Sequence, residues 1–127
     1  MYEIKDCPVP IYQNEDELNR LIEIIKEFQP KRILEIGSLY GGTLWYWMNA
    51  VKGVKIVSVD IGTAEPNANV SDIERARIEL WPEWQRETKS TIIQIRADST
   101  LPETVNVIKK YAPFDFIFID GGHTYGI

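Results

Sequence analysis

Four short apolar runs in this sequence each end in a residue suited to chemistry: Gly37, Asp60, Asp98 and Asp120. Aspartate offers oxygens that accept hydrogen bonds or bind a cation, and glycine lets the backbone come close to a ligand. Taken singly, each is an ordinary residue for the end of a strand. Together at one edge of one sheet they form a candidate ligand site, because open α/β sheets bind ligands outside the carboxyl ends of their strands. Around the first of them lies Glu35-Ile36-Gly37-Ser38-Leu39-Tyr40-Gly41-Gly42-Thr43. Its glycines do not follow the Gly-x-Gly-x-x-Gly spacing with which a helix amino end holds a pyrophosphate. A carboxylate at Glu35, just before the turn, would repel a phosphate and suits a ligand carrying positive charge. His123 follows Asp120 by three positions. It can exchange a proton near neutral pH, or it is a loop histidine that only hydrogen-bonds the turn.

The elements that must position these residues are legible in the hydrophobic pattern. Asn14 to Phe28 reads as an amphipathic helix, with Leu18, Leu21, Ile22, Ile25 and Phe28 on one face, Asn14 as its cap and Pro30 beyond its end. Arg32 to Ile36 reads as a buried strand. Thr43 to Val51 reads as a helix closed by Gly53, its Trp45, Tyr46, Trp47 and Met48 belonging to core or a covered interface. Val54 to Val59 is a second strand and Ile61 to Val70 a loop. A helix from near Ser71 is expected to carry a capping box to Glu74 and to kink or end at Pro82. Thr91 to Arg96 is a third strand. A helix that opens on Thr100-Leu101-Pro102-Glu103 runs to about Tyr111, and Phe114 to Ile119 is a fourth strand. Alternating helices and strands predict a single α/β domain, a Rossmann-like parallel sheet with helices on both faces.

The turn Glu35 to Thr43 resembles the Glu-x-Gly-x-x-x-Gly-x-Ser/Thr form of the first motif of class I methyltransferases, in the catechol and caffeoyl-coenzyme A O-methyltransferase branch. Phe116-Ile117-Phe118-Ile119-Asp120-Gly121-Gly122-His123-Thr124-Tyr125 resembles the fourth motif of bacterial relatives, the cephalosporin hydroxylase-like and sugar O-methyltransferases. The cofactor implied is S-adenosylmethionine, which carries an ammonium and a sulfonium and no phosphate. The resemblance implies that Gly37 lets the backbone approach its methionine part, that Thr43 binds its carboxylate, and that Glu35 and Ser38 beside Gly37 belong to the same cofactor site. It implies that Asp60 takes both ribose hydroxyls, and that Asp98 and Ser99 contact the adenine. It further implies that Asp120 is the first ligand of a divalent metal, Mg²⁺ or Mn²⁺, in metal-dependent members. His123 stands where the catechol-type pattern has a lysine general base. The implied reaction is methyl transfer to an oxygen of a small molecule. A complete class I domain has more than four strands, so the chain is expected to supply the cofactor-binding half and to stop before the catalytic fold is complete.

Composition narrows the alternatives. The chain has 127 residues, enough for one core. Its formal net charge of -5 argues against nucleic acid, which needs a basic surface. No apolar run reaches the length of a membrane span. Cys7 has no second cysteine to pair with and no local sign of activation. A cytoplasmic setting is expected on these grounds. A nucleotide- or NAD-binding oxidoreductase domain is one rival reading, and a non-catalytic cofactor-binding module is another. The fourth strand, apolar and at a sheet edge, predicts a homodimer. Folding of the segment Tyr2 to Tyr12 over that edge is the alternative.

Overall fold

The computed structural model describes residues 7–9, 14–38, 40–60 and 70–119. Its elements are α1 (Glu15–Phe28), β1 (Arg32–Ile36), α2 (Gly42–Ala50), β2 (Lys55–Val59), α3 (Val70–Arg75), a π-helical turn (Ala76–Leu80), α4 (Trp81–Thr88), β3 (Thr91–Ile95), α5 (Pro102–Lys109) and β4 (Phe116–Ile119). The strands form one sheet in the order β3-β2-β1-β4. All three pairings are parallel, so every strand presents its carboxyl end at the same edge. This is the expected α/β architecture.

Local chemistry explains most boundaries. Asn14 Oδ1 accepts a 3.1 Å hydrogen bond from the Glu17 amide and starts α1. The helix ends at Gln29, whose left-handed backbone and amide bond to the Ile25 carbonyl close the last turn. Leu18, Ile22 and Ile25 are buried, whereas Phe28, expected on the same face, is exposed. It lies at the last residue of the helix. The start of β4 is fixed by Asp115, whose carboxylate accepts from the Lys31 and Arg32 amides at 2.8 and 3.2 Å.

Glu74, expected to complete a capping box, accepts from the Arg96 guanidinium. A kink or an end is expected at Pro82, and the helical run does not end there. Pro82 sits in the first turn of α4, where its missing N–H costs nothing. Just ahead of it the backbone widens into the π turn, with the Trp81 amide bonded to the Ala76 carbonyl five residues back. The wider turn is what lets one continuous helical run absorb the proline. The α5 helix opens within the expected Thr100 to Glu103 stretch, with Leu101 at its cap and Pro102 in its first turn, while Thr100 bonds back to Asp98.

The strand register sorts side chains onto two faces. Ile33, Ile56, Ile92, Phe116 and Phe118 face α1, α2 and α4 and join Leu18, Ile22, Ile25, Leu44, Trp47, Trp81 and Trp84 in the larger core. Tyr46, Trp47 and Met48 are fully buried, as expected of the aromatic run. Trp47 meets both Phe116 and Phe118 edge to face, at centroid distances of 5.7 and 5.6 Å. On the opposite face Leu34, Val57 and Val59 pack with Ile108 of α5 and with Tyr111 and Phe114.

Candidate functional site at the carboxyl edge of the sheet

The sheet ladder reaches into the candidate site. The Gly37 amide bonds to the Val59 carbonyl at 2.8 Å, and the Asp60 amide bonds to the Ile95 carbonyl at 3.0 Å. Backbone pairing thus holds Gly37 and Asp60 at the ends of adjacent strands. Gly37 has φ 91°, a left-handed conformation that favours glycine and turns the chain away from β1. Ser38 follows it, and its hydroxyl receives a 2.7 Å bond from Ser58 Oγ of β2, which ties the turn to the neighbouring strand.

Gly41 closes the turn with φ 89°. A Cβ there would lie 2.3 Å from Trp81 Nε1, well inside contact distance. The same indole N–H donates to the Tyr40 carbonyl at 2.8 Å. Glycine is therefore required at position 41 twice, by conformation and by the indole packed against it. Leu39 lies outside the described residues.

Glu35 is 0% exposed. Its Oε1 accepts from the Thr43 hydroxyl and, at 3.1 Å, from Trp47 Nε1. These bonds fasten the first turns of α2 to β1. The sequence places Glu35 and Thr43 on a cofactor. In this structure they face each other in the interior, and the Thr43 hydroxyl is held by Glu35.

Asp60, at the end of β2, is paired with Arg77, which lies in none of the sequence motifs. Arg77 Nη2 lies 3.2 Å from Asp60 Oδ2, with the two side chains 4% and 6% exposed. The Arg77 guanidinium also sits 4.8 Å from the centroid of the Trp81 ring. Burial lowers the Arg77 pKa, and the nearby Asp60 carboxylate opposes that shift. A legible signal existed: an arginine four residues before a tryptophan, in the helix that follows the second strand. Farther out, Arg96 just after β3 pairs with Glu74 of α3. Charges therefore alternate along this edge, from Asp60 to Arg77, Glu74 and Arg96.

Asp98 and Ser99 lie in the turn between β3 and α5. Asp98 Oδ1 accepts from the Thr100 amide at 2.9 Å and the Thr100 hydroxyl at 2.6 Å. Those bonds hold its carboxyl below the usual range. The structure gives Asp98 a turn-forming role and shows no bond from it to Gly37 or Asp60. Asp120 and His123 lie outside the described residues. Among the described residues no group of three or more His, Cys, Asp or Glu side chains could hold a metal ion. Cys7 donates weakly to the Gly42 carbonyl at 3.8 Å, and burial pushes its thiol up to about 11.

This arrangement suits a cofactor without phosphate. Its turn lacks the dinucleotide spacing, a carboxyl side chain stands directly behind it, and the arginine at the edge is already paired with Asp60.

Comparison with known proteins agrees with the geometry. An O-methyltransferase from Bacillus cereus in complex with S-adenosylhomocysteine superposes with a TM-score of 0.58 at 23% identity, covering 91% of this chain and 48% of that one. The methyltransferase PaMTH1 of Podospora anserina, also bound to S-adenosylhomocysteine, gives a TM-score of 0.56 at 22% identity, covering 85% and 41%. These show the class I methyltransferase fold. In sequence, the ribosomal RNA large subunit methyltransferase E of Archaeoglobus fulgidus is 29% identical over 105 residues, which are 82% of this chain and 41% of that protein. The chain spans about half the length of these relatives or less. None of these matches supports the oxidoreductase reading. Residues 1–125 match the family described as rhamnosyl O-methyltransferase/CmcI, and to that family of methyltransferases this chain belongs.

Proposed function

We propose that this chain binds S-adenosylmethionine at the carboxyl edge of its sheet and forms the cofactor half of an O-methyltransferase acting on a small molecule. The observation that carries the reading is that the Gly37 turn and the buried Asp60 carboxylate stand side by side at the carboxyl ends of adjacent strands. Gly37 and Ser38 line the methionine end, Asp60 receives the ribose hydroxyls, and Asp98 and Ser99 flank the adenine. Glu35 and Thr43 shape the turn from behind. When bound, the cofactor supplies a methyl group on a sulfonium to an acceptor oxygen in an in-line displacement. The protein's part is to position donor and acceptor. His123 is proposed as the base that takes the acceptor's proton.

A divalent metal at Asp120 belongs to the same proposal. It binds weakly to this chain, because a hard cation wants about six oxygens and Asp120 supplies one carboxylate. A tight one-to-one Mg²⁺ or Mn²⁺ complex without other ligand would refute that part. The likeness to a ribosomal RNA methyltransferase does not favour an RNA acceptor, since the net charge of -5 offers no basic surface. A cytoplasmic setting fits the single cysteine. Among the described residues no helix is long and apolar enough to cross a membrane.

A homodimer completes the proposal. Among the described residues β4 has a partner on one side only, β1. Ile117 and Ile119 beside that edge are 53% and 67% exposed. A second copy would meet both needs at once, pairing the edge and covering the isoleucines.

The test of the cofactor site is a calorimetric titration with S-adenosylhomocysteine. Wild type should bind, and Asp60→Ala should weaken binding by about 1–3 kcal/mol through lost charge-assisted bonds. Equal affinity in the two proteins would remove Asp60 from the site.

A further inference from the structure

Arg77 is buried, charged and unused by the reading above, although it touches the residue on which that reading depends. A buried ion pair is a poor source of stability, because removing two charges from water costs about as much as their attraction returns. A carboxylate at the mouth of a site has another use for a partner: the partner decides whether it is charged and where its oxygens point. The contacts of Arg77 fit that use. Its Nη2 bonds to Asp60 Oδ2, and its guanidinium lies over the Trp81 ring. The Trp81 indole in turn bonds to the Tyr40 carbonyl and fills the space beside Gly41. One connected set of contacts therefore runs from the carboxylate after β2 to the glycine turn after β1. Those are the two places that a nucleoside joined to an amino acid would touch together. The set passes through the π turn, which carries Arg77 at its start and delivers Trp81 at its end. Glu74 and Arg96 bond to each other farther out and are close enough to act on Arg77 and Asp60 through their charges.

We propose that Arg77 is the positioning residue of the cofactor site, holding the Asp60 carboxylate in place for the ribose hydroxyls and locking it, through Trp81, to the glycine turn. This rests on the reading that S-adenosylmethionine binds at this edge with Asp60 on its ribose.

The test is a double-mutant cycle on the full chain, with S-adenosylhomocysteine as the probe. Affinity is measured by calorimetry, and each variant's fold is checked by circular dichroism. Arg77→Met should lower affinity about tenfold, Arg77→Lys should recover part of the loss, and Arg77→Met added to Asp60→Asn should cost less than about twofold more. A purely structural Arg77 would instead lower thermal stability and leave the affinity of folded protein unchanged, which would overturn the proposal. Equal losses with and without Asp60 would overturn it too, since Arg77 would then not act through that carboxylate. If Arg77→Met does not fold, Arg77→Lys carries the same cycle. Its loss, about threefold, should be confined to proteins that keep Asp60. Equal loss in both backgrounds, or none, counts against the proposal. Failure of the underlying reading looks different: wild type would not bind the probe, or Asp60→Asn would bind as tightly as wild type.

Discussion

The two faces of the sheet are built from equally apolar strands and reach different ends. The face bearing Ile33, Ile56, Ile92, Phe116 and Phe118 lies under α1, α2 and α4 and is sealed by Trp47, Trp81 and Trp84. On the other face, among the described residues, only α5 supplies a covering helix, and Ile117 and Ile119 at its β4 side stand open. A parallel sheet is stable with both faces covered. The contrast shows where this chain has committed its stability. The closed face carries the side-chain bonds that fasten the turn after β1 to the core, from Glu35 to Thr43 and Trp47 and from Trp81 to the Tyr40 carbonyl. The open face carries apolar surface that needs a cover.

Substitution can break that comparison directly. Ile33→Asp, on the closed face, should cost more than about 4 kcal/mol, because a carboxylate would be buried without a partner. Ile117→Asp, on the open face, should cost less than about 1 kcal/mol and should shift light scattering at micromolar concentration from dimer to monomer. Similar losses in urea denaturation would show that the two faces are equally covered. A clean wild-type monomer would end the dimer proposal.

Gly41→Ala tests the top of the closed face. The methyl group would overlap the Trp81 indole and sit at positive φ, for a loss of about 3 kcal/mol in denaturation midpoints. A loss below about 1 kcal/mol would mean that the indole moves easily and that the turn is less fixed than its contacts suggest. Glu35→Leu keeps the bulk and removes the acceptor for Thr43 and Trp47. It should cost about 2 kcal/mol, whereas Glu35→Gln, which retains an acceptor oxygen, should cost less than half of that. Equal costs for the two would show that bulk alone matters at this position.

The smallest effect concerns Cys7, which packs against the closed face. Burial raises its thiol from the usual 9 to about 11. The stability linked to that proton is fully present below pH 9 and is lost as pH rises through about 11. Alkylation of native protein should therefore follow a thiolate appearing near pH 11, and alkylation in denaturant one appearing near pH 9. Coincident profiles would place Cys7 in water.

The sequence made the alternation of elements legible because helical and strand periodicities are local properties. The same holds for the Asn14 cap and for the buried aromatic run of α2. It could also place Gly37, Asp60 and Asp98 at one edge, since parallel topology alone aligns the ends of the strands. The partners of those residues depended on distant packing and stayed hidden. Glu35 reads as a charge facing a ligand, yet it bonds to groups eight and twelve residues away on a helix folded back over it. Arg77 reads as one more charge on a helix surface. Its spacing to Trp81 hints at the ring contact, but its burial against Asp60, seventeen residues back, depends on long-range packing.

The widened turn between α3 and α4 bears on how the family can vary in length. A π turn holds one residue more than an α turn of the same rise. Deleting a single residue between Ile78 and Leu80 would restore ordinary helical winding. With Trp81 and Trp84 still seated in the core, everything before the deletion would swing by about 100°, the angular step of one helical residue. Arg77 would be carried away from Asp60 without either residue having changed. Among relatives, a one-residue gap in this helix should therefore mark loss of the ion pair as surely as a substitution at either end of it.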